Sequence, residues 1–124
     1  MIRGIGLDIV DIARIAELYQ RHGERFLKRV FTEREIAYCM TKSDPAPSLS
    51  ARFAAKEAAS KALGTGIAEG VLFKDIEVLK EGTRPVIALH NQARERAEGM
   101  GVSFIHLSIS HERSYAAAVV VMEG

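Results

Sequence analysis

Apolar and small or polar residues alternate from the start of the chain. Residues 2 to 10, Ile-Arg-Gly-Ile-Gly-Leu-Asp-Ile-Val, repeat with a period of two, which predicts a strand with Ile5, Leu7 and Ile9 on one face. Gly4, Gly6 and Asp8 fall on the other face, and glycines beside an acid leave an open surface that suits close approach of a ligand. From Asp11 the period changes to that of a helix. Asp11 stands as its N-cap, and Ile12, Ile15, Tyr19, Phe26 and Val30 mark the buried side of a single first helix. Phe31-Thr32-Glu33-Arg34-Glu35-Ile36 then reads as a capping box with a hydrophobic staple, which opens a short helix to about Met40 and gives its carboxylates a structural role.

Residues 41–48 carry two prolines and short polar side chains, the composition of a loop, and a helix follows from about Leu49 to Leu63. That helix is rich in alanine, which permits close packing on a sheet. Beyond residue 70 the pattern is strand-like again. Residues 75–80 and 84–89 form one predicted hairpin around Glu81-Gly82-Thr83, and residues 102–110 and 115–122 form a second across His111-Glu112-Arg113-Ser114. A short helix over residues 91–98, ended by Gly99, separates them. Strand, helices, then hairpins predict an α+β fold: one domain over residues 1–124 with a mainly antiparallel sheet packed by helices.

Composition narrows the function classes. At 48% hydrophobic and 27% charged residues the chain has the profile of a soluble globular domain. Cys39 is the one cysteine, so an internal disulfide and a cysteine-based zinc cluster are excluded. No apolar run approaches the ~20 residues of a membrane span and no basic-then-apolar leader precedes the first strand, so a cytoplasmic location without membrane attachment is expected.

Net charge is +1, unevenly spread: residues 1–62 hold 11 Lys/Arg against 8 Asp/Glu, while residues 63–124 hold 6 against 8. At 100° per residue, Arg14, Arg21, Arg25 and Lys28 fall within about 60° of one another on the first helix, with apolar Leu18 among them. Such a basic stripe is ordinarily just a solvated face. With an apolar knob at its centre it also suits docking of an acidic helical protein. Nucleic acid fits less well, because no aromatic residues interleave the stripe for base stacking.

Candidate chemistry lies in Arg52-Phe53-Ala54-Ala55-Lys56-Glu57-Ala58-Ala59-Ser60-Lys61-Ala62-Leu63-Gly64-Thr65-Gly66. Glu57 and Lys61 project from one helix face at i and i+4, a spacing shared by ordinary surface ion pairs worth roughly 0.3–0.5 kcal/mol. Gly64-Thr65-Gly66 lets the backbone turn sharply and offer N–H groups to an anion, although Gly64 is equally a plain helix C-cap. Asp8, embedded in an apolar strand, needs a charged partner or a metal. His111 lies at the last turn, where a histidine is as often only a polar turn residue. No second histidine follows at zinc-protease spacing, and Lys61 precedes its glycines where a Walker A lysine follows them.

Gly4-Ile5-Gly6-Leu7-Asp8-Ile9 and residues 52–62 together closely resemble the two motifs of the holo-acyl-carrier-protein synthases, the short bacterial 4′-phosphopantetheinyl transferases. The resemblance extends to Gly64-Thr65-Gly66, to Arg84-Pro85, and to Ser108-Ile109-Ser110-His111 followed by Tyr115-Ala116-Ala117-Ala118, and so covers nearly the whole chain. It implies transfer of phosphopantetheine from coenzyme A to a serine of apo-acyl carrier protein, with 3′,5′-ADP leaving. It implies that Asp8 and Glu57 hold Mg²⁺ and that Lys61 adds positive charge at the reacting phosphate. The serine proton is taken by Glu57 or by a metal-bound water. Gly64, Thr65, Gly66, Arg84, Pro85 and His111 cradle the nucleotide end of coenzyme A, together with Lys61. Arg14, Leu18, Arg21, Arg25 and Lys28 become the docking face for the acidic carrier protein. Family members are typically homotrimers whose sites are shared between subunits.

Two other classes fit parts of the pattern. A non-catalytic module would bind acidic carrier proteins through the basic stripe and tolerate loss of Asp8 or Glu57. Another metal-dependent phosphotransferase or nucleotide hydrolase would use the same carboxylates without a protein acceptor.

Overall fold

The computed structural model describes residues 1–124. Strand β1 (Ile2–Asp11) leads into α1 (Ile12–His22), α2 (Glu24–Val30) and α3 (Glu33–Cys39), then the long α4 (Ala46–Ala62). A 3₁₀ turn at Phe73–Asp75 precedes the hairpin β2 (Ile76–Glu81) and β3 (Arg84–Leu89). Helix α5 (Asn91–Gly99), β4 (Phe104–His111) and β5 (Tyr115–Glu123) complete the chain. The expected α+β class holds. The antiparallel strands divide, however, into a three-stranded sheet in the order β1-β5-β4 and a separate two-stranded sheet β2-β3.

Helix α4 crosses the three-stranded sheet, and its alanines are the means. Ala54, Ala55, Ala58 and Ala59 are fully buried. On the strand side, a Cβ at Gly4 would lie 2.1 Å from the carbonyl oxygen of Ala62, and one at Gly6 only 1.8 Å from that of Ala58. The glycine face of β1 is therefore occupied by the helix backbone and is not open to a ligand, which corrects the reading from alternation alone. The opposite face of β1 carries Ile5, Leu7 and Ile9 to the surface, each about two-thirds exposed (64%, 65% and 66%). Alternation correctly separated the two faces, and the apolar one faces outward.

The first helix differs too. Gly23 adopts φ +51° and splits it, so Phe26 and Val30 belong to α2, and the stripe computed along one continuous helix runs over two. Asp11 caps α1 as expected, accepting a hydrogen bond from the Ala13 amide at 2.9 Å. The capping box at Thr32 and Glu35 also forms. Helix α4 starts at Ala46, about a turn earlier than the apolar pattern suggests, because Pro47 in its first turn needs no N–H partner there.

Beneath α3 lies a polar core that no local pattern announces. Lys56 is fully buried and paired with Glu35 at 2.8 Å, and it donates to the carbonyls of Phe73 and Ile76. Burial lowers its pKa, against the raising influence of Glu35. Nearby Glu77 is buried and accepts from Thr32 (2.6 Å), Arg34 (2.8 Å) and His90 (3.0 Å). Burial alone would raise its pKa, but the hydrogen bonds from Thr32, Arg34 and His90 outweigh it and bring the carboxyl to about 2. The stability this supplies is present above the ordinary carboxylate range and is lost as pH falls toward that value. These contacts tie α3 to α4 and to the β2-β3 hairpin.

Candidate active site and phosphate cradle

Close approach of α4 to β1 decides which side chains meet. Asp8, on the helix-facing side of β1, receives a hydrogen bond from Lys61 Nζ at 3.0 Å, and the same ammonium donates to the Leu7 carbonyl at 3.0 Å. Lys61 thus reaches across to the strand and forms no ion pair with Glu57, its neighbour one turn back. Glu57 is half-buried. Burial first, and the facing Asp8 second, raise its pKa, while Lys61 and Arg14 pull the other way. Glu57 and Asp8 are therefore within electrostatic range of each other, and the Lys61 ammonium acts on both, by direct contact with Asp8 and by its charge on Glu57.

No group of three or more His, Cys, Asp or Glu side chains is arranged to hold a metal. A pair of oxygen donors nevertheless fits Mg²⁺, which keeps several waters and is bound through one or two carboxylates plus substrate phosphates. Burial first and the facing Asp8 second disfavour the charged form of Glu57, and a cation held beside the two carboxylates would relieve the second of these. The residues present fit the ion.

The turn after α4 departs from expectation. Gly64 and Gly66 have φ of +81° and +63°, but their amides donate to the carbonyls of Lys61 and Ser60 at 3.0 and 3.1 Å. Those two N–H groups close the helix end and are not presented to an anion. Arg96 of α5 fixes the same end by donating from Nε to the Leu63 carbonyl at 2.9 Å. Thr65 lines a hollow of about 440 Å³ beside Arg96, Gln92 and Val71.

Pro85 and His111 are brought together, some way from that turn. They line a cavity of about 280 Å³ with Tyr38, Arg52, Lys80 and Ile109. Arg84 is not part of it: its exposed side chain stands 3.8 Å from Glu81. Arg52 and Lys80, which sequence reasoning did not assign, supply the positive charge instead. Arg52 is 7% exposed, and its Nε has no hydrogen-bond partner. No local signal marks them, because only tertiary packing brings Arg52 and Lys80 to Tyr38. From Arg52 to Gly64 the helix rise alone is roughly 18 Å at 1.5 Å per residue. Within one chain, the expected coenzyme residues thus form two separate groups.

Arg14, Leu18 and Arg21 lie on α1, with Arg14 near enough to act on Glu57, and Arg25 and Lys28 lie on α2. Arg21 pairs with Glu17 at 3.5 Å and Lys28 with Glu24 at 3.6 Å, so the stripe is more compensated than the sequence indicated. Arg14 and Arg25 make no ion pair. Leu18 and Arg25 border a hollow of about 410 Å³ with His22, Phe26 and Arg29, the last of these another basic residue that the one-helix projection left out.

This arrangement agrees with what the chain is similar to. Residues 4–120 match the model of the 4′-phosphopantetheinyl transferase superfamily, and the chain belongs to that family of transferases. Holo-[acyl-carrier-protein] synthases are its relatives: that of Koribacter versatilis is 49% identical over 124 residues, covering 99% of each chain. That of Chlamydia trachomatis serovar D is 47% identical over 120 residues, covering 97% of this chain and 98% of its own. Among solved structures, the holo-[acyl-carrier-protein] synthase of Neisseria meningitidis superposes with a TM-score of 0.89 at 37% identity, with both chains fully covered. The Helicobacter pylori synthase in complex with coenzyme A superposes at 0.85 and 38% identity, covering 96% of this chain and 99% of that one. Within the superfamily the chain falls in the holo-acyl-carrier-protein synthase group and is an enzyme. No helix is long and apolar enough to cross a membrane.

Proposed function

We propose that the protein transfers 4′-phosphopantetheine from coenzyme A to a serine hydroxyl of an apo-acyl carrier protein, with Mg²⁺ as cofactor and 3′,5′-ADP as the second product. The observation that carries this is the joining of Asp8, Glu57 and Lys61 across the β1–α4 contact, in a chain whose relatives are full-length synthases. Asp8 and Glu57 would hold the metal. When bound, Mg²⁺ neutralises charge on the pyrophosphate and on the leaving group.

The chain's own residues do the rest. Lys61, tethered to Asp8 and the Leu7 carbonyl, keeps a positive charge beside the reacting phosphate without having to reorganise. Burial and the facing Asp8 raise the proton affinity of Glu57, which suits it to take the proton of the attacking serine. The anionic nucleotide end is received by Arg52, Lys80 and His111 beside Pro85. In one subunit that cavity lies roughly 18 Å of helix rise from the Gly64 turn beside Thr65, which favours a site completed by a neighbouring chain. The apolar outer face of β1, with Ile5, Leu7 and Ile9 exposed, favours the same homotrimer, since large exposed apolar patches mark interaction surfaces.

Intact mass of apo-acyl carrier protein after incubation with the enzyme, coenzyme A and Mg²⁺ tests the reaction. A gain of one phosphopantetheine that EDTA prevents is expected, and native mass spectrometry of the enzyme should give three chains. A carrier mass that never changes, with several carriers tried, would leave only carrier binding; an enzyme that stays a single chain would remove the shared site.

The basic residues of α1 and α2 serve as the carrier-docking face in this reading. Arg14→Glu combined with Arg21→Glu should raise KM for the carrier about tenfold or more and change KM for coenzyme A little, because rim charges act mainly on encounter. Equal changes in both constants would remove the stripe from docking.

A further inference from the structure

Two kinds of contact hold α4, and they constrain it differently. Against the three-stranded sheet it buries Ala54, Ala55, Ala58 and Ala59, and β1 meets it with Gly4 and Gly6. Methyl groups and bare backbone pack closely but present shallow ridges, so this contact sets the depth of α4 more firmly than its rotation. Leu49, Phe53 and Leu63 add apolar packing, which is non-directional. Rotation matters for the site. A helix with its side chains is about 10–12 Å across, so a turn of roughly 20° carries a carboxylate at its surface roughly 2 Å.

The directional contact is made by Lys56, which leaves α4 about 100° around the helix from Glu57. An ammonium has three N–H donors, and each finds a separate acceptor: Glu35 of α3 at 2.8 Å, the Phe73 carbonyl of the 3₁₀ turn at 3.0 Å and the Ile76 carbonyl of β2. Glu35 is itself held by two backbone amides, Thr32 to Oε1 and Val78 to Oε2, each at 2.8 Å. Both side chains are fully buried. A buried ion pair is weak grounds for stability, because desolvation offsets much of the attraction, and its best-attested use is to fix register. Here every partner of Lys56 lies on an element other than α4, and two of the three are backbone atoms that no rotamer change can move.

We propose that Lys56, held by Glu35, is a positioning residue for the active site: the pair fixes the rotation and axial register of α4, and so keeps Glu57 and Lys61 against Asp8. This rests on the reading of those three residues as the reacting site. Lys56 faces away from the site and acts only through the helix that it shares with Glu57 and Lys61.

The test is Lys56→Met combined with Glu35→Gln. Both charges go at once, so neither is left buried and unpaired, and Gln as well as Glu closes a capping box. The double variant should melt below the parent, because the Phe73 and Ile76 carbonyls lose their donor. Well below that melt, kcat should fall about thirtyfold or more, while KM for the carrier, which docks on α1 and α2, changes less than about threefold. Mg²⁺ should raise the melting temperature of the parent, and that of the variant by less than about half as much. A lower melt with parental kcat and a parental Mg²⁺ effect would mean that the pair only stabilises the fold, and would overturn the inference. A parent whose melting temperature ignores Mg²⁺ would overturn instead the site reading beneath it. If the double variant does not fold, Lys56→Gln with Glu35→Gln decides: it keeps a donor in the core, one bond shorter and with two N–H groups for three. Its kcat should fall about tenfold, and parental kcat in it would overturn the inference.

Discussion

Replacing Glu57 by Gln is expected to lower kcat/KM by at least about a hundredfold while leaving the metal-free protein as stable as the parent, or more so. The two halves of this prediction have the same cause. Burial and the facing Asp8 raise the proton affinity of Glu57, so in the fold its charged form is disfavoured. A carboxyl with a raised pKa binds its proton more tightly when folded than when unfolded. Its contribution to stability is therefore full below the ordinary carboxylate range and is lost as pH rises through the raised value. At neutral pH the parent carries that cost, and Gln does not. Mg²⁺ reverses the balance, because a cation between the carboxylates restores the counter-charge. Thermal melting at neutral pH gives a readout independent of turnover: Mg²⁺ should raise the melting temperature of the parent and not of Glu57→Gln. A variant that keeps full activity, or the same Mg²⁺-dependent stabilisation, would place the metal elsewhere.

How much of this was legible before the structure depended on whether the signal was local. Asp11, Thr32 and Glu35 act within their own turn, and their caps form as the sequence implied. Strand periodicity located β1 to β5 because alternation is a local property. The joining of Asp8 with Lys61 spans 53 residues and rests on the motifs being met together, not on periodicity. Other features left no local mark. Gly23 breaks a helix whose apolar spacing continues past it, so Arg25 and Lys28 lie on a different axis from Arg14. Lys56 in an alanine helix has the composition of a solvated position, yet it is buried because Glu35 arrives from α3. The amides of Gly64 and Gly66 were as free to bind an anion as to close a helix, and packing of α5 through Arg96 favours closure. Arg52 and Lys80 meet at Tyr38 only through tertiary packing, and no spacing rule connects the three.

The glycines of β1 show the same ambiguity at the point where it matters most for the site. A missing Cβ says that something approaches closely, not what does. Here it is the backbone of α4, and Gly6→Ala is expected to be among the most damaging single substitutions in the chain. The added methyl would lie 1.8 Å from the Ala58 carbonyl oxygen and 2.9 Å from the Ala62 amide nitrogen. Both are backbone atoms of a helix whose inner face is fully buried, so no side chain can rotate away to make room. Relief requires β1 and α4 to part, which forfeits the close packing of the buried alanine face of α4 on the sheet. A cost of about 3 kcal/mol is expected, the upper end for volume forced into a packed core. For a chain of this length that lowers the melting temperature by more than about 10 °C. Function should fall further than stability. The 3.0 Å contact from Lys61 to Asp8 spans the same gap, and a separation of even an ångström moves one carboxylate and the lysine away from the other groups of the site. Transfer measured well below the melting temperature should therefore drop at least about tenfold, and excess Mg²⁺ should restore only part of it. A melt within about 2 °C of the parent, with full transfer, would mean that β1 and α4 can separate freely and that their close approach does not set the geometry of Asp8, Glu57 and Lys61.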